Sequence, residues 1–114
     1  MNIIEQNQGA VTVIKPEGPL AADDVKAFSS ALAKAIGTNL GRCVVDLSAV
    51  PFVDSKGLEA LLDATEEMAR GGRALKLCAV NKTVRQVLEL TELVSQFDHF
   101  EDVNSAVRSF LQGA

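Results

Sequence analysis

Residues 42–62 read RCVVDLSAVPFVDSKGLEALL, and this stretch decides the fold. Cys43–Val44–Val45–Asp46–Leu47 is a short apolar run with β-branched residues that closes on an acid, the pattern of a buried strand. Ser48–Ala49–Val50–Pro51 reads as a turn. Phe52–Val53–Asp54–Ser55–Lys56–Gly57 then leads into a helix whose Leu58, Leu61, Leu62, Thr65, Met68 and Ala69 recur at spacings of three and four. Ser55 stands where the chain turns from extended to helical. A hydroxyl or a phosphate there would meet the N–H groups that open a helix.

Outward from this centre the chain alternates. Asn2–Gln6 is a weak first strand, Gln8–Gly9 a turn, and Ala10–Lys15 a second strand with Val11, Val13 and Lys15 opposite Thr12 and Ile14. Their short connection predicts an antiparallel hairpin. Pro16–Glu17–Gly18–Pro19 reads as a break in the sheet. A helix is expected over Ala22–Gly37, with Val25, Phe28, Leu32, Ala35 and Ile36 on one face and Gly37 as a left-handed end. Asp23 and Asp24 lie in its first turn, where they either complement the dipole or meet a partner. A loop over Thr38–Gly41 leads to the central strand.

The Ser55 helix stops at Arg70–Gly71–Gly72, and Ala74–Val80 is a further buried strand. Asn81 caps a helix carrying Val84, Val87 and Leu88. Ser95–Phe100 is a short edge strand. Asp102 caps a last helix with Val103, Ala106, Val107, Phe110 and Leu111 inward. The alternating second half requires parallel neighbours. The expectation is one α/β domain over residues 1–114: a mixed sheet of four or five strands covered by about four helices.

Composition narrows the function. The chain has 114 residues, 47% of them hydrophobic, enough for a cooperative core without staples. Eleven Lys and Arg against fifteen Asp and Glu leave a net charge of −4, which disfavours a nucleic-acid backbone as partner. Cys43 and Cys78 sit inside strands with no metal-type spacing and read as buried thiols. His99 is the one histidine and cannot build a metal site by itself. Met1–Gln8 is too short and polar for a signal peptide, and no apolar run approaches the roughly 20 residues of a membrane span. A soluble, cytoplasmic protein without membrane insertion is expected.

No catalytic constellation is visible. A serine nucleophile needs a base and an orienting acid, and His99 lies far along the chain from Ser55. No G-x-S-x-G elbow or phosphate-loop pattern occurs, and the neighbouring acids Asp23–Asp24 and Glu66–Glu67 do not face each other on a helix. From composition alone Ser55 is a helix-cap candidate, and the exposed run Lys56, Glu59, Asp63, Glu66, Glu67 and Arg70 is a solvated face.

The run VVDLSAVPFVDSKGLEALL resembles the anti-sigma factor antagonists, which share the STAS domain named for sulfate transporters and those antagonists. Family members carry Asp-Ser-Ser-Gly-Leu or a close variant at this helix start, and the serine after the Asp is phosphorylated. That position is Ser55; Lys56 replaces the second serine and Glu59 a common glycine. Gly18 and Leu20 match a family glycine and leucine. AVNKTVRQVLELTELVSQF resembles the family's next helix and loop, with Glu92 where glycine is usual. The resemblance implies a STAS-like fold and a non-enzymatic switch that needs no cofactor or metal of its own. Unphosphorylated, it would bind an ATP-binding anti-sigma factor serine kinase and release a sigma factor; a serine phosphatase would reset it. Asp54, Lys56, Gly57, Glu59, Asp63 and Asp23 would form the partner surface around Ser55. The other role implied is an accessory STAS subunit regulating an ABC-type transporter ATPase.

Overall fold

The computed structural model describes residues 1–38 and 41–111. Five strands form one sheet in the order β1-β2-β3-β4-β5: β1 (Asn2–Gln8), β2 (Val11–Glu17), β3 (Cys43–Asp46), β4 (Leu75–Cys78) and β5 (Phe97–Phe100). β1 and β2 are the antiparallel hairpin, turned at Gly9 with φ 63°, and every later pairing is parallel. The helices are α1 (Asp24–Thr38), α2 (Ser55–Ala69), α3 (Lys82–Leu90) and α4 (Val103–Leu111). The mixed five-stranded sheet with four helices is the architecture expected.

Strand alternation sends successive residues to opposite faces. Ile14, Cys43, Val45, Leu75 and Leu77 enter the larger core, with Phe28 and Leu32 of α1, Leu61 and Met68 of α2, and Val84 and Leu88 of α3. Val11, Val13, Val44 and Cys78 enter the smaller core against Ala106 of α4. The three crossover helices thus share one face. A strand order that advances one place at a time requires this when every crossover has the same hand. α4 covers the other face and buries the row that one helix layer would leave in water.

Four local readings change. Pro16 does not break β2: it pairs with Ile3, while β3 pairs only with Thr12–Ile14, so the missing N–H costs no bond to β3. Gly37 stays inside α1, and the left-handed residue is Gly41 (φ 81°), whose N–H donates to Ile36 O at 3.0 Å. The buried stripe of α2 is Gly57, Ala60, Leu61, Ala64, Thr65 and Met68. Leu58 and Leu62 are only half-buried and Ala69 is exposed, because α1 packs against the small residues and rotates the stripe. Ser95 and Gln96 belong to a 3₁₀ turn (Val94–Gln96) ahead of β5, not to the strand. Positions 39 and 40 of the expected loop, and the side chain of Leu111, lie outside the described residues.

Candidate phosphorylation and docking site

The site forms where β3 ends. Asp46 Oδ1 accepts from the Ser48 N–H at 2.9 Å and starts the turn, which Val50 N–H closes onto Leu47 O at 3.1 Å. The chain then runs beside the segment after β2. Leu20 N–H donates to Phe52 O at 3.1 Å, Asp54 N–H donates to Leu20 O at 3.1 Å, and Leu20 and Val53 form a parallel bridge. Two loops distant in sequence are thereby stitched together beneath α2.

Asp54 is the cap, and Ser55 is the first helical residue. Asp54 Oδ1 accepts from the Gly57 N–H at 2.9 Å and its C=O accepts from Leu58 N–H at 2.9 Å. Oδ2 reaches across to accept the Ala22 N–H at 2.9 Å. Ala22 is left-handed (φ 54°), a conformation that costs an alanine energy and is held by this bond. The donation from Gly57 and then from Ala22 holds the Asp54 carboxyl below the usual carboxylate range, with Lys56 adding to it. Gly57 is buried under Leu20: a Cβ there would lie 2.3 Å from Leu20 O. Only glycine lets the helix start this close to that carbonyl.

Ser55 is exposed, as are Lys56, Glu59 and Asp63 on the outer side of α2. Asp23 is exposed too, and the Ala22–Asp54 bond brings its loop to the same pole. Gly57 presents no surface; its contribution is the position of Ser55. Glu66, Glu67 and Arg70 continue the charged face, and Arg70 pairs with Glu67 at 3.2 Å in solvent, a contact worth little. Asp24 meets the Met1 amine at 3.3 Å.

Phe52 and Ala22 escaped sequence reading. Phe52 stands 47% exposed, two residues before the cap, on backbone pinned by Leu20. An apolar residue outside the strand alternation was its one sequence signal. Ala22 carried none, since its strain exists only with a carboxylate 32 residues away.

Other hydroxyls sit differently. Thr65 is buried, its Oγ donating to Gln96 O at 2.7 Å and accepting from Leu75 N–H at 3.0 Å. Ser48 and Thr83 are exposed. Burial pushes the thiols of Cys43 and Cys78 up to about 12, so both are protonated at neutral pH. His99 Nε2 lies 2.7 Å from Val94 O, remote from Ser55. Among the described residues no three His, Cys, Asp or Glu side chains group as metal ligands, and no helix is long and apolar enough to cross a membrane.

The family model of the STAS domain matches residues 2–106. Solved structures share the fold at low identity. A protein of Thermotoga maritima superposes with a TM-score of 0.86 at 18% identity, over 96% of this chain and 95% of that one. An anti-sigma-factor antagonist domain protein of Planctomyces limnophilus gives 0.81 at 19%, over 96% and 98%. The anti-sigma factor antagonist SpoIIAA of Bacillus, solved unphosphorylated and phosphorylated, gives 0.74 at 16% for the unphosphorylated form, over 99% and 100%.

Proposed function

The chain belongs to the STAS domain family, and from that premise we propose that it is an anti-sigma factor antagonist switched by phosphorylation of Ser55. The observation that carries the reading is the exposed serine hydroxyl at the first position of α2, directly after a carboxylate cap, on a pole where Lys56, Glu59, Asp63 and Asp23 face solvent. The role is binding, not catalysis. Unphosphorylated, this pole docks an ATP-binding anti-sigma factor serine kinase, which lets go of its sigma factor. The kinase phosphorylates Ser55, the complex dissociates, and a serine phosphatase restores the hydroxyl.

The local geometry supports a switch that acts on the partner more than on the fold. A phosphate adds about −1.5 to −2 charges at neutral pH. The helix dipole favours it, and Lys56 is adjacent. The Gly57 N–H that would also receive it is already committed to Asp54, whose charge opposes the phosphate. These contributions offset, so folded stability changes little. Against a docked partner the phosphate must lose water, and a cost of about 2.8 kcal/mol weakens binding about a hundredfold.

Affinity purification with mass spectrometry identifies the partner class: a serine kinase supports the reading, and an ABC-type ATPase instead replaces it with the accessory-subunit role. Incubation with the kinase and ATP should add one phosphate that Ser55→Ala abolishes, while a phosphate on Ser48 or Thr83 refutes the assignment. Thermal unfolding and binding are then measured on one phosphorylated sample. A collapsed melting temperature with unchanged affinity of the folded fraction would mean that the switch works by unfolding.

A further inference from the structure

The two edges of the sheet are built differently. β5 is four residues long and carries an acid, Asp98, within the strand, two features that keep an edge from pairing with another chain. β1 runs through seven residues, Asn2–Gln8, and pairs with β2 at every one of them without a bulge. It has no proline and no basic residue, and Glu5 is its one charge. Its outer side carries backbone donors and acceptors. Thr12 N–H donates to Arg42 O and Gly18 N–H to Ala49 O, both at 3.0 Å, so the even-numbered residues of β2 turn their polar backbone groups toward β3. Thr12, Ile14 and Pro16 therefore face Asn7, Glu5 and Ile3 as the pairs that exchange no hydrogen bonds. The N–H and C=O groups of those three β1 residues point away from β2, and no strand lies on that side.

The same edge is apolar. Among the described residues four large apolar side chains are exposed, and two of them, Met1 and Ile4, stand here. A second β1 brings the matching alternation of donors and acceptors by symmetry, because an antiparallel two-fold pairs a strand with itself. Full overlap of two such strands would set Glu5 directly against its own counterpart, which is unfavourable. Sliding one strand by two residues centres the two-fold on Ile4 and removes that clash. Ile4 then meets Ile4 as a close pair without hydrogen bonds, while Ile3 and Glu5 exchange hydrogen bonds with Glu5 and Ile3 of the other copy. The opposite slide centres on Gln6 and leaves Ile4 against Gln8. The helices leave room. α1 packs over β2 and β3, and α4 over β2 to β5. The two α1 helices would therefore stand at least three strand spacings apart, about 14 Å, clear of the roughly 8–10 Å at which helices touch.

We infer that the open edge of β1 is a self-association surface, on which two copies of the chain join β1 to β1 antiparallel about Ile4 and extend their sheets into one. The pairing reverses strand direction, so the two Ser55 poles face opposite ways. The inference does not depend on the switch.

Sedimentation equilibrium of the full chain is the first test. A dimer, present throughout or reached as the concentration rises toward about 1 mM, supports the edge. A monomer throughout, whether β1 stays open or takes the strand of a different protein, overturns it, as does open-ended growth. Glu5→Pro removes an outward N–H that β2 does not use, and Ile4→Asp sets two carboxylates at the closest pair. Each should weaken association at least about tenfold, with circular dichroism showing a folded chain. If Glu5→Pro fails to fold, Ile4→Asp decides, and a dimer that it leaves intact overturns the proposal. Ile4→Cys should cross-link to its counterpart under mild oxidation, and Gln6→Cys should not; Cys43 and Cys78 are buried and stay out of the reaction. Cross-linking of Gln6→Cys alone, or of neither in a dimer, overturns it. Amide exchange at Ile3 and Glu5 should slow on association while Ile4 and Gln6, bonded to β2 in either state, stay unchanged. Fast exchange at Ile3 and Glu5 in the dimer places the contact elsewhere. Ser55→Ala should associate as the wild type does, so failure here is separable from failure of the switch.

Discussion

α2 and α3 are built on one frame, and their differences isolate what would equip α2 for the proposed switch. Each starts at an Asx cap: Asp54 Oδ1 accepts from Gly57 N–H at 2.9 Å, and Asn81 Oδ1 from Val84 N–H at 2.8 Å. Each cap spends its second atom on a remote loop, Asp54 Oδ2 on Ala22 N–H at 2.9 Å and Asn81 Nδ2 on Val50 O at 2.8 Å. Each helix also ends in the same pair of bonds. Arg73 N–H reaches Met68 O and Gly72 N–H reaches Ala69 O; Leu93 N–H reaches Leu88 O and Glu92 N–H reaches Glu89 O. A capped helix start is therefore no evidence of a phosphosite. α2 differs in having a charged cap, an exposed serine where α3 has Lys82, and a glycine where α3 has buried Val84.

The glycine should show the largest effect. In Gly57→Ala the new Cβ collides with Leu20 O, a backbone atom that moves only if the Leu20–Val53 bridge moves. We expect a loss of about 1–3 kcal/mol or more, measured by urea unfolding. An unchanged midpoint would show that the start of α2 shifts freely against Leu20, and the rigid pole described here would be wrong.

The caps come next. Asn81→Ala should cost about 1 kcal/mol at any pH between 3 and 7, since an amide does not titrate. Asp54 behaves otherwise. Its folded pKa is depressed by the Gly57 and Ala22 N–H groups, so its contribution is present above the ordinary carboxylate pKa and is lost as pH falls through the folded value. Asp102, held low by Ser105 at the start of α4, adds loss in the same window. Asp54→Asn should flatten the acid limb of the stability profile without abolishing it. It should also release Ala22, because an amide NH₂ facing that N–H sets donor against donor. Asn81→Asp is the mirror test: it places oxygen against Val50 O and should destabilise at neutral pH. Equal acid limbs in wild type and Asp54→Asn would remove the charge of the cap from the comparison.

What the sequence disclosed follows from the range of the forces involved. The hairpin, the Asn81 cap and the edge position of β5 were legible because alternation, capping and turn chemistry act within a few residues; at α2 the sequence offered Ser55 as the cap, and that place belongs to Asp54, with Ser55 the first helical residue. The rotation of the α2 stripe was not, since it depends on α1 packing against Ala60 and Ala64. Gly37 was read as a stop because glycine often ends helices, yet the chain made its left-handed step at Gly41. At the candidate site Ser55 and its acid neighbours stood out by resemblance. The tie from Asp54 to Ala22 exists only once β2 and β3 lie side by side.

The smallest effect is expected at the two helix ends. Gly72 (φ 76°) and Glu92 (φ 61°) occupy the same left-handed position of the same motif, one suited to it and one not. The left-handed region costs a residue with a Cβ roughly 1–2 kcal/mol, and glycine returns part of that gain through its freer unfolded chain. Glu92→Gly should therefore stabilise by about 0.5–1 kcal/mol, raising the melting temperature by a few degrees. Nothing lies within 4 Å of a Cβ built on Gly72, so Gly72→Ala should cost a similar amount through backbone conformation alone. Glu92→Ala separates charge from backbone: it keeps the Cβ and should leave stability almost unchanged. If Glu92→Ala and Glu92→Gly stabilise equally, the cost at this position lies in the glutamate side chain, and the two helix ends are not equivalent.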